Sequence, residues 1–153
     1  MYKQALVPLD GSDLAECALN HVKSMMKNGV VREATLLNVV KVEIPWVKID
    51  DSFEHIDVNT LRERAFQSSQ NYLACVASRF ASEDMKVRTE SREADRPDRA
   101  ILDYAREEGV DIIIMATHGD TGMKRMLLGS VAFGVLNQSP VPVLLIRPGS
   151  CQV

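Results

Sequence analysis

A chain of 153 residues with 46% apolar and 25% charged side chains has an ordinary globular composition, and at that length roughly 68–70% of the unfolded surface is buried without disulfide or metal staples. Its 18 basic and 21 acidic residues leave a net charge of −3, which excludes the polycationic field that nucleic-acid binding needs. No apolar stretch approaches the roughly 20 residues of a membrane span. The N-terminal MYKQALVPLDGS has too short an apolar run for a secretory signal. Three scattered cysteines, Cys17, Cys75 and Cys151, form neither a CxxC pair nor an even framework. The expectation is one domain over 1–153, in the cytoplasm, with reduced thiols.

In chain order, Ala5–Leu9 is the first near-continuous apolar run, as in a strand buried on both faces of a parallel sheet. Pro8 lacks a ladder donor and so belongs at that strand's C-terminal end. Leu14, Ala18, Val22 and Met25 then recur at helical spacing, with Ser12 or Asp13 placed to cap. Ala34–Val40 is a second strand. Lys41–Asn59, with Pro45 and Trp46, has no period and reads as a long excursion, the kind of segment that forms lids or partner surfaces. Leu61, Ala65, Ser69, Leu73, Val76, Ala77 and Phe80 make one helical stripe, and Met85–Ser91 alternates as a weaker strand.

Pro97 opens a third helix with Ala100, Ile101, Tyr104 and Ala105 on its inner face, and Gly109 ends it. Asp111–Ala116 is a strand, Ser130–Asn137 a helix despite the ~1 kcal/mol cost of an interior Gly134, and Val141–Arg147 the last strand. The alternation predicts an α/β fold: an open, doubly wound, five-stranded parallel sheet in the order 3-2-1-4-5, with helices on both faces.

Ligands of such sheets sit beyond the C-terminal strand ends, where the winding reverses. Two strand ends carry turn chemistry: Pro8-Leu9-Asp10-Gly11-Ser12, and Ala116-Thr117-His118-Gly119 with Gly129-Ser130 downstream. Glycines let backbone amides approach an anion, and Gly129-Ser130 before a helix adds its unpaired amides and positive dipole end. Singly, each glycine reads as a turn; together they point to phosphate. Neither GxxxxGK[ST] nor GxGxxG is present.

From ALVPLDGS to SPVPVLLIRPG, and above all in IIIMATHGDTGMKRMLLGSVAFGVL, the chain resembles the ATP-binding-motif branch of the universal stress protein (UspA-like) family. That branch shows G-x2-G-x9-G-[ST]; here the pattern is Ala116-x2-Gly119-x9-Gly129-Ser130, alanine replacing the first glycine. The resemblance implies ATP as ligand, with Mg²⁺ carried by the phosphates. Pro8, Leu9 and Asp10 would face the nucleoside and Val39 would lie against adenine. Met115, Ala116, Thr117, His118 and Gly119, with Gly129, Ser130, Val131 and Ala132, would wrap ribose and phosphates. Ala132 stands where some members offer a hydroxyl. Lys124 and Arg125 are candidates to screen phosphate charge, or a solvated loop face.

No nucleophile–base pair or paired acids mark a catalytic centre. The leading reading is an ATP-binding regulatory stress protein with little or no turnover; the rivals are a ligand-free interaction module and a slow ATPase. Val141–Arg147 is intensely apolar and falls at the sheet edge, with a short polar tail after it. A bare apolar edge invites pairing. A homodimer through this strand is therefore expected, in line with the family resemblance.

Overall fold

The computed structural model describes residues 1–43, 57–80, 85–117 and 128–147. Five strands, β1 (Tyr2–Leu9), β2 (Val31–Val40), β3 (Lys86–Glu93), β4 (Ile112–Ala116) and β5 (Val143–Ile146), alternate with four helices. These are α1 (Asp13–Lys27), α2 (Val58–Phe80), α3 (Pro97–Glu107) and α4 (Ser130–Gln138). All pairings are parallel and the sheet order is β3-β2-β1-β4-β5, as the alternation predicts.

The sheet separates two cores. Val7, Leu36 and Ile114 pack with Ala18 and Val22 of α1 and Leu73 and Val76 of α2 on one face. Leu6, Leu37 and Ile113 pack with Ile101 and Leu102 of α3 and Val135 of α4 on the other. Each central strand alternates its apolar residues between these cores, which is why it reads as continuously hydrophobic. Among the described residues no helix is long and apolar enough to cross a membrane.

Boundaries differ where backbone pairing outruns composition. β1 and β2 start earlier than their apolar runs, with Tyr2 opposite Val31. β5 is shorter than Val141–Arg147. Pro142 lies just before it, has no N–H to donate, and uses its carbonyl to accept from Ile113 N at 3.0 Å. Gly109 has φ +65°, the left-handed conformation expected just past a helix end.

Gly134 finds its reason in packing. A Cβ there would lie 2.7 Å from Asp98 Oδ2 and 2.9 Å from Asp98 Cβ. The glycine lets α4 close onto α3 over a buried aspartate, which offsets its poor helix propensity. One expectation fails. Cys17 is disulfide-bonded, to a partner outside the described residues, whereas Cys75 is free and exposed. Separation along the chain carries no information about separation in the fold.

Candidate functional site

β1 is hydrogen-bonded to β2 as far as Leu9↔Asn38, but its ladder with β4 registers only Ala5↔Ile112 and Leu6↔Ile113. Pro8, which cannot donate, lies just beyond the point where that ladder stops. These are the neighbouring strands between which the winding reverses, and a cavity of about 200 Å³ opens at their C-terminal ends.

Three elements build its walls. From β1 come Pro8, Leu9 and Asp10; from β4 and its end, Met115, Ala116 and Thr117; from α4 and its cap, Gly129, Ser130, Val131 and Ala132. Val39 of β2, also nominated from the sequence, lines it as well. Ala15, Leu37, Pro97 and Ile101 also line the cavity and were not anticipated. Only Pro97, as a helix opener at the ligand end of the sheet, carried a usable signal. His118, Gly119, Lys124 and Arg125 lie outside the described residues.

The β1–α1 turn is closely tied. Gly11 takes φ +88°, a conformation that L side chains rarely adopt. Asp10 Oδ1 accepts from Ser12 N at 3.0 Å and from Ser12 Oγ at 2.6 Å, while Ser12 Oγ accepts from Ala15 N at 3.1 Å as the α1 N-cap. Tyr72 of α2 lies close by, its hydroxyl buried and, among the described residues, without a partner at hydrogen-bond geometry. Burial first, and the Glu16 carboxylate next, push its phenol well above the usual tyrosine range.

The start of α4 is arranged differently. Gly129 N donates to Thr117 O at 2.7 Å, and the first helical bond runs from Phe133 N to Gly129 O at 2.8 Å. The amides of Ser130, Val131 and Ala132 therefore have no partner within the helix, and among the described residues no side chain caps them. Gly129 has φ −68° and ψ 158°, a conformation open to any residue. Ala116 is an ordinary strand residue paired with Ile146, so its methyl imposes no backbone strain.

The crevice therefore combines an apolar slot (Leu9, Leu37, Val39, Ile101 and Met115) with a partly positive helix end. An amphiphilic ligand with a flat apolar part and an anionic part matches both.

Sheet order and crevice together define an open, doubly wound α/β protein of the kind that holds small ligands at its switch point. The model of the universal stress protein family matches residues 1–147. Universal stress protein MJ0577 of Methanocaldococcus jannaschii is 32% identical over 158 residues, covering 96% of each chain. Its solved structure superposes with a TM-score of 0.78 at 33% identity, again over 96% of each chain. A universal stress protein solved with cAMP shares the fold at 16% identity and a TM-score of 0.64, covering 96% of this chain and 98% of that one. One from Arabidopsis thaliana with AMP bound does so at 13% identity and a TM-score of 0.64, covering 95% and 91%. The chain belongs to the universal stress protein family.

Proposed function

We propose that this crevice binds an adenine nucleotide, ATP with Mg²⁺ carried on its phosphates, and that the protein is a nucleotide-controlled cytoplasmic regulator with little or no turnover. One observation carries the reading: a single cavity joins an apolar slot to an uncapped helix N-terminus. The slot suits a purine, with Val39 and Leu37 on one strand and Ile101 on α3. The α4 amides and the helix dipole suit phosphates.

Gly129 supports this placement, because its backbone does not require glycine and a side chain would narrow the wall beside those amides. Asp10, at the end of β1, is then positioned for the nucleoside. It is the one ionisable residue among the described lining groups, and Ser12 engages it, which supports binding over hydrolysis. His118, Gly119, Lys124 and Arg125 would complete the phosphate side. The cAMP- and AMP-bound family members support the ligand class.

Denaturing the purified protein should release adenine absorbance, and incubation with Mg-ATP should form little ADP. Added Mg-ATP near 100 times its Kd should stabilise the fold by about 2.7 kcal/mol. ADP, AMP and cAMP arms rank the specificity. No released adenine and no shift with any of the four would overturn the reading.

We also propose that the protein is a homodimer through β5. That strand is a sheet edge. Leu144 is 36% exposed, and on the adjoining α4 Phe133 is 59% and Leu136 46% exposed. A two-fold partner pairing edge to edge would cover these groups. Val143 and Leu145 pack on the inner core, so Leu144→Lys is the cleaner test. Sedimentation should find a wild-type dimer and a variant shifted toward monomer; a wild-type monomer at tens of micromolar refutes the assembly.

A further inference from the structure

Leu9 of β1, Asn38 of β2 and Ser91 of β3 lie in one row across three parallel strands, Leu9↔Asn38 and Asn38↔Ser91. Ser69 of α2, 6% exposed, sits against that row. Asn38 Nδ2 donates to the Leu9 carbonyl at 2.8 Å, Ser69 Oγ donates to Asn38 Oδ1 at 2.7 Å, and Ser69 Oγ lies 2.6 Å from Ser91 Oγ. A serine has one proton to give. With that of Ser69 committed to Asn38, the Ser91 hydroxyl must donate to Ser69. The chain of bonds therefore has one direction: Ser91 to Ser69 to Asn38 to the Leu9 carbonyl.

That carbonyl belongs to the peptide plane joining Leu9 to Asp10, both of which line the crevice. Holding it fixes the plane and the entry of the chain into the Asp10–Ser12 turn. Ser69, the buried member, depends most on its neighbours, since a buried acceptor or donor left alone is costly.

We propose that Asn38, Ser69 and Ser91 are positioning residues for the ligand-facing turn, through which α2 and β3 set the orientation of Leu9 and Asp10. The inference rests on the nucleotide reading for its consequence, tighter ligand binding, but not for its geometry.

Two measurements on the full chain test it. In Ser69→Ala, Mg-ATP affinity by calorimetry should fall roughly tenfold, while Ser69→Thr, which keeps the hydroxyl, should stay within about threefold of wild type. Without ligand, hydrogen exchange at the Asp10 amide should speed up in Ser69→Ala and not in Ser69→Thr. If Ser69→Ala binds Mg-ATP as wild type does, the positioning role is overturned. If wild type binds no nucleotide, the functional reading falls, and the Asp10 exchange rate alone decides the positioning: unchanged exchange overturns it, faster exchange sustains it. Should Ser69→Ala fail to fold, Ser91→Ala, at the outer end of the relay, is read by the same two measurements.

Discussion

Two helices begin at the crevice, and the fold treats their N-termini in opposite ways. α1 is closed: Ser12 caps it and Asp10 holds Ser12 by both its amide and its hydroxyl. α4 has no side-chain cap among the described residues, contains a glycine, and sets Ser130, Val131 and Ala132 in the cavity wall. A helix needed only for stability would use the cap that α1 has, worth about 1 kcal/mol. α4 instead gets its place from outside, through Gly129 N on Thr117 O and through its packing on Asp98. Local stability is concentrated at one helix start, and unpaired polarity at the other.

The largest effect that would break this contrast is at Gly129. Valine fits the backbone there but puts a branched side chain at the cavity wall beside the open amides. Gly129→Val should therefore abolish the Mg-ATP stabilisation of about 2.7 kcal/mol near 100 times Kd, with ligand-free melting little changed. An undiminished shift would mean that α4 is not the phosphate end. Next comes Gly134→Ala, which helix propensity alone would favour by about 1 kcal/mol. The 2.7 Å approach to Asp98 reverses the sign. Overpacking costs about 1–3 kcal/mol, so the variant should melt lower; a stabilised variant would show that α4 is not seated on Asp98.

Ser12→Ala should cost about 1 kcal/mol of ligand-free stability in chemical unfolding and, because it also frees Asp10 from the Ser12 hydroxyl, weaken the Mg-ATP shift, but far less than Gly129→Val. Asp10→Ala lies between the two: it loses its support of the cap, and under the proposed reading it weakens the ligand more than the fold. Equal losses in both assays would reduce Asp10 to a capping residue.

The layout of strands and helices could be read in the sequence because both faces of β1, β2 and β4 are buried, which makes their runs unmistakable. β3 was weaker since it is an edge with charged Lys86, Arg88 and Glu93 exposed. The turn residues of the crevice, Pro8–Asp10 and Gly129–Ser130, were legible through their backbone chemistry. Leu37 and Ile101 were not: an apolar side chain lining a cavity obeys the same periodicity as one filling a core. The Asn38–Ser69–Ser91 relay was hidden for another reason. Its partners are 31 and 22 residues apart, and only the register of three strands brings them together. Cys17 shows the same limit.

The smallest effect concerns the pH dependence of the α3–α4 seat. Asp98 is buried, yet it accepts from Arg96 Nη2 at 2.7 Å and Nε at 3.3 Å. Those hydrogen bonds from Arg96 lower its carboxyl pKa below the usual value, while burial pushes the other way. A carboxylate depressed in the folded state stabilises it fully above the unfolded pKa of about 3.9 and loses that contribution as pH falls through the folded value. Because the two causes oppose each other and Arg96 is largely exposed, the net effect is modest. Urea midpoints taken from pH 6 down to about 3 should fall more steeply for wild type than for Asp98→Asn, which keeps the shape beside Gly134 but not the charge. If the two curves run parallel, the Arg96–Asp98 pair does not stabilise the α4 seat, and the shape of Asp98 alone accounts for the glycine opposite it.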